Sequence, residues 1–148
     1  MTTTPDPPTS PTGEPAAPEQ VGLAFRAMLS GALAGLTLIA AAMWLMRTLQ
    51  AAGRAPTAPT PGDAVATLVL LAWVGGAGIA GLLAWGLMAP IRSAYRRGGF
   101  AMVAGFGTLP LAFVTAPVDA LLGRWGLLGL AAASASCGAL LARRLGIR

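Results

Sequence analysis

Four apolar runs, residues 27–46, 64–91, 100–122 and 125–142, fill most of this 148-residue chain, each near or above the length a helix needs to cross a bilayer. A hydrocarbon core of about 30 Å takes roughly 20 helical residues at about 1.5 Å each. A soluble helix of that length carries charge along one face, whereas here the charges sit almost entirely in the gaps between the runs. Charged residues are only 10% of the chain against 55% hydrophobic, with a mean hydropathy of +0.70. An average soluble domain carries about 25% charge, so too little polar surface exists here to cover a body of this size in water. The sequence therefore predicts an all-α integral membrane bundle of four transmembrane helices with lipid-facing apolar side chains.

All ten basic residues are Arg, and there is no Lys or His. Together with the high Ala, Gly and Pro content, this usage points to a GC-rich bacterial genome and so to the cytoplasmic (inner) membrane. A net charge of +5 would suggest nucleic acid as the partner of a soluble protein. Here the arginines flank apolar spans, where they act as orientation signals, and no nucleic-acid partner is expected. Seven of them (Arg26, Arg92, Arg96, Arg97, Arg143, Arg144 and Arg148) fall on one side of a four-span topology and three (Arg47, Arg54 and Arg124) on the other. The positive-inside rule then places both termini in the cytoplasm. No basic side chain precedes the first apolar run within residues 1–20, so that run is expected to remain as an uncleaved anchor.

Residues 1–20 are rich in Pro and Thr and are expected to form a disordered cytoplasmic tail, because they hold too little apolar surface to offset the entropy of ordering. The first span carries Gly31 and Gly35, a GxxxG pair that lets a neighbouring helix approach closely where lipid removes the hydrophobic drive for association. Residues 48–62 contain three prolines and read as an exposed loop, with Asp63 placed to cap the second helix. That second run includes Gly75, Gly76, Gly78 and Gly81, a density suited to close helix packing, with Gly75, Gly78 and Gly81 as the packing candidates. Pro90 is expected to close it. Beyond lie Arg92, Tyr95, Arg96 and Arg97, whose arginines are candidate contacts for anionic lipid headgroups.

The third run has a stripe. Ala101, Gly105, Thr108, Ala112, Thr115 and Asp119 recur at steps of four and three, which brings every polar residue of the run onto one helical face. Prolines 110 and 117, each two residues after a threonine, predict a bent helix. Gly123 and Arg124 alone separate this run from the fourth, so a tight antiparallel hairpin is expected. The fourth run contains Ala131 to Ala139, all small residues, with Ser134 and Gly138 as packing candidates.

Asp119 is the sole acidic residue inside an apolar run, and intramembrane carboxylates are functional candidates by default. Its position near Arg124 and Trp125 favours a structural role, pairing with Arg124 or reaching interfacial water. Without His there is no imidazole base, haem ligand or His metal site, and a single cysteine, Cys137, excludes CxxC redox and multi-thiolate metal centres. The P-loop, HExxH and GxSxG spacings are absent. Neither an enzyme nor a cofactor or metal site is expected. Small multidrug exporters share this length and topology but depend on a carboxylate deep in the first helix, which this chain lacks. Fluoride channels carry a GGxxGAxxRY motif and a Thr-Thr-Phe-Ser run that are also missing here. The expected function is a noncatalytic scaffold or accessory subunit, self-associating or joining a larger membrane complex. The alternative is a small oligomeric carrier or channel using Thr108, Thr115 and Asp119 as a polar path.

Overall fold

The computed structural model describes residues 17–54 and 64–146, so the expected tail up to residue 16 and the Asp63 cap lie outside the described residues. Four helices occur in order: α1 (Ala17–Ala51), α2 (Ala64–Leu87), α3 (Ala94–Ala112) and α4 (Thr115–Gly146), with no strand among the described residues. The expected all-α class is therefore observed. α1, α2 and α4 are long and apolar enough to cross a membrane. α3 is not among them, since its first turn is occupied by Tyr95, Arg96 and Arg97.

Several boundaries differ from expectation. Residues 17–20, assigned above to a disordered tail, form the first turn of α1. A proline in that turn sacrifices no hydrogen bond, because its missing N–H would have no partner there, and Glu19 lies where the helix dipole favours an anion. α1 thus reaches 35 residues, about 52 Å at about 1.5 Å per residue, longer than the 27–46 run alone. α2 stops at Leu87 rather than continuing to Ile91. Pro90 disfavours helical backbone at Ala89, and the chain passes through a turn in which the Ile91 N–H donates to the Met88 carbonyl at 2.9 Å. Met88 and Ile91 are fully buried, so this turn plugs the bundle's end from within.

The third run, expected as one bent helix over 100–122, breaks at Phe113–Val114. Pro117 has no N–H, and its ring would collide with the carbonyl four residues back, that of Phe113. The backbone answers by tightening: the N–H groups of Phe113, Val114 and Ala116 donate to the carbonyls of Pro110, Leu111 and Phe113, three residues back, before the four-residue spacing resumes from Val118 to Val114 at 3.3 Å. The direction of the chain is kept. Asp119 reaches Arg47 near the end of α1, whereas Ser134 and Gly138 meet Thr37 and Ser30 progressively nearer its start. The reversal therefore lies between Asp119 and Ser134, at Gly123, whose φ of 59° and ψ of −157° suit glycine alone.

α1 is the central helix and touches all three others, while α3 and α4 scarcely meet. Gly31 faces Ala80 and Ala84, and Gly35 faces Gly76, so α1 and α2 run antiparallel. Gly81 faces Ala101 and Gly105 faces Ala77, which makes α2 and α3 antiparallel and α1 and α3 parallel. The tight hairpin expected of the third and fourth runs exists only at its tip, where Gly126 packs against Val118 and Leu122. Below it the fourth leg departs from α3 and lies along α1, because its small face of Ala131, Ser134 and Gly138 finds a matching surface there. Arg26, Arg92, Arg96, Arg97, Arg143 and Arg144 thereby gather at one end of the bundle, the lower end, and Arg47, Arg54 and Arg124 at the upper end.

Candidate functional site

The polar stripe becomes the buried face of the third leg. Ala101, Gly105, Thr108, Ala112 and Thr115 are buried and Asp119 is nearly so, despite the break at Phe113–Val114. Its hydroxyls are satisfied locally: Thr108 Oγ1 donates to the Ala104 carbonyl at 2.8 Å, and Thr115 Oγ1 to the Ala112 carbonyl at 2.6 Å. Thr108 also presses its methyl group toward Gly35, where an added Cβ would lie 2.7 Å from Thr108 Cγ2. The lower part of the stripe, Ala101 to Thr108, therefore docks α3 onto α1 and α2.

Asp119 pairs with Arg47 of α1 rather than with Arg124, the pairing expected as an alternative to interfacial water. Arg47 Nε donates to Asp119 Oδ2 at 2.8 Å, and Nη2 approaches the same oxygen. The Asp119 side chain is 12% exposed and that of Arg47 46%. Arg124 instead turns back over the Trp125 ring, 5.4 Å from its centroid. Both arginines sit at the upper end and border the same cleft. Arg47, Thr115, Asp119 and Arg124 with Trp73 and Phe113 border an open cleft of about 700 Å³. Trp73 and Phe113, both on its border, meet edge to face at 5.6 Å.

A second set of polar contacts ties α4 to α1. Ser30 Oγ donates to the Gly138 carbonyl at 3.0 Å, and the hydroxyls of Thr37 and Ser134 share a hydrogen bond at 2.9 Å. Of the packing candidates, Gly31, Gly35, Gly81, Ser134 and Gly138 lie at helix contacts. Gly78 does not: it faces outward with nothing within 4 Å of an added Cβ. Gly75 makes only an ordinary approach to Leu38, at 3.8 Å. The contact is carried by Gly76 and Gly105 instead, because helical phase turns Gly76 toward α1 and leaves Gly78, two residues on, facing away. The run Gly76-Ala77-Gly78-Ile79-Ala80-Gly81 also spells GxGxxG. In a dinucleotide site that spacing follows a strand and opens a helix. Here it lies inside α2, where it serves packing.

At the lower end, Ser93 caps α3 by accepting from the Arg96 N–H at 3.4 Å. Arg92 and Arg96 are exposed, as an orientation or lipid role requires, but Arg97 folds back. Its guanidinium lies 4.6 Å above the Trp85 ring, and Nη2 donates to the Trp85 carbonyl at 3.4 Å. No short-range pattern announces this contact or the Arg47–Asp119 pair, whose members are 72 residues apart. The only signal available is that each pair falls at the same end of the predicted topology.

Among the described residues no group of three or more His, Cys, Asp or Glu could hold a metal. Fold and site define an all-helical, four-helix protein with three helices of membrane-spanning length and composition. Comparison with protein-family models, with curated proteins and with solved structures finds no match.

Proposed function

We propose that the chain is a noncatalytic scaffold or accessory subunit of a bacterial cytoplasmic membrane, with both termini on the cytoplasmic side, acting by helix packing. One observation carries the reading: α4 has small residues on two faces and the bundle covers one. Ala131, Ser134 and Gly138 face α1, while Gly129, Ala133 and Cys137, at steps of four, are exposed together with Ala132 and Ser136. In lipid, a ridge of small residues is the surface on which another helix packs most closely. The polar side chains that could serve transport or catalysis, Ser30, Thr37, Thr108, Thr115, Ser134 and Asp119, are engaged within the bundle.

The test is Ala133→Leu, a change on an exposed position. Purified in mild detergent, the native chain is expected to migrate as an oligomer or with a partner, and the variant as a smaller species with unchanged helix content. A native chain that is monomeric and recovers no partner from its membrane removes the reading. The carrier alternative draws on the upper-end cleft, with Thr115, Asp119 and Arg47 at its wall. Proton, cation or anion flux above that of empty liposomes, abolished by Asp119→Asn, would favour it.

A further inference from the structure

α2 and α3 touch through Gly81 and Gly105, and the close approach of their backbones leaves an open groove along the outer side of the contact. Val74, Gly78 and Trp85 of α2 and Met102, Phe106 and Leu109 of α3 line it, a volume of about 460 Å³ with almost no polar atom. Gly78 gives it depth, since nothing lies within 4 Å of where its Cβ would be. From Val74 to Trp85 the groove follows about 16 Å of helix, at about 1.5 Å per residue, along the bundle axis. An acyl chain fits that shape and direction.

Cationic side chains stand beside the lower end of the groove. Trp85 forms its wall there, and Arg97 stacks on the same ring at 4.6 Å. Arg97 Nε is buried and has no hydrogen-bond partner among the described residues. A buried guanidinium N–H without an acceptor is rare, because its desolvation goes uncompensated. Arg92 and Arg96 stand exposed on the same turn, and Asp119, the carboxylate inside the apolar runs, is held by Arg47 at the far end. An apolar trough beside an arginine with one unpartnered N–H, with further arginines next to it and no carboxylate of the trough's own, matches a molecule with an apolar tail and an anionic phosphate head.

We propose that the α2/α3 groove binds one anionic phospholipid, an acyl chain lying over Gly78 and the phosphate meeting Arg97. The inference rests on the membrane reading above, and the experiment separates the two. The full chain is incorporated into phosphatidylcholine vesicles, and flotation establishes insertion before any titration. Phosphatidylglycerol with brominated acyl chains is then added while tryptophan emission is followed. Trp85 is the tryptophan at this end, with Trp44, Trp73 and Trp125 toward the other, and Trp85→Phe measures its share. The expected result is quenching that saturates at a low mole fraction of the anionic lipid, whereas brominated phosphatidylcholine quenches only in proportion to its abundance. Arg97→Gln should raise the half-saturating fraction about fivefold, the factor equivalent to one basic residue at a membrane surface. Gly78→Leu, which fills the groove from an open position, should abolish the saturable component with helix content and flotation unchanged. Equal quenching by the two brominated lipids, or wild-type titrations from both variants, overturns the proposal. Failure to float with phosphatidylcholine vesicles overturns the membrane reading and this proposal with it.

Discussion

Gly35 of α1 and Gly76 of α2 oppose each other so closely that a Cβ on the first would lie 2.5 Å from the second's carbonyl oxygen, and a Cβ on the second 3.0 Å from the first's. Backbone meets backbone at the middle of the bundle. Side chains of ordinary size would hold these helices apart and cost the dispersion contacts on which packing in lipid depends. Around this point α1 gathers Ile39 and Ala40 from its own turn, Ala80 from α2 and Thr108 from α3, all buried.

Replacement of Gly35 by Ala is therefore expected to destabilise the bundle by about 1–3 kcal/mol, the cost of overpacking a filled site. Gly78→Ala, on the same pair of helices but in open space, should be neutral or stabilising by up to about 1 kcal/mol through helix propensity. Unfolding of the purified protein in mixed micelles measures both. Equal losses at the two positions would show that the α1/α2 contact is not where the helices actually approach.

The Arg47–Asp119 pair joins the end of α1 to the tip of the hairpin. With one partner half exposed, its worth is that of a partly solvated ion pair, about 1 kcal/mol. Arg47→Gln and Asp119→Asn should each weaken the fold by roughly that amount, and a double-mutant cycle should return most of it as coupling. Exchange of the two charges, Arg47→Asp with Asp119→Arg, should recover stability lost in either single reversal. Additive losses would mean that the pair does not form.

Gly123 holds a φ of 59° and a ψ of −157°, a region where a Cβ is strained whatever the space around it. Gly123→Ala is expected to cost about 1–3 kcal/mol and to loosen the hairpin tip, seen as faster proteolysis between residues 119 and 126. Gly129→Ala, at an open helical position with no such backbone, is the control and should be silent or mildly stabilising.

How much of this was legible in the residues follows from the range of each interaction. The stripe from Ala101 to Asp119 was readable because a period of 3.6 survives even the interruption at Phe113–Val114, where the tightened turn keeps the helical phase. The reversal at Gly123 was readable because two residues leave no room for a longer loop. Helix pairing was not, since spacing specifies which face of a helix is small and not which neighbour it meets: α4 chose α1, and α3 chose α1 and α2. For the same reason Gly78 is expected at the contact and Gly76 is not, although two residues along a helix turn Gly76 inward and Gly78 out. Arg47 was hidden as the partner of Asp119 because Arg124 was nearer in sequence, and distance along the chain says little about distance across a bundle.

Cys137 offers the sharpest check on the solvent of the outer face. It is exposed on α4, six residues before Arg143, which puts it about 9 Å along the helix from the nearest charge. In water, an exposed cysteine at that position is open to any maleimide. In hydrocarbon, a charged maleimide cannot reach it, whereas an apolar one partitions to it. In intact membranes Cys137 is therefore expected to resist the charged reagent and to accept the apolar one, and a cysteine introduced at Arg54 in the upper loop should accept both. If helix packing through Gly129, Ala133 and Cys137 also covers the thiol, the apolar reagent should react more slowly with the native chain than with Ala133→Leu, in which the ridge is broken. Rapid labelling of Cys137 by the charged reagent in sealed membranes would mean that this face of α4 looks onto water, and the lipid-facing assignment of the bundle would fall.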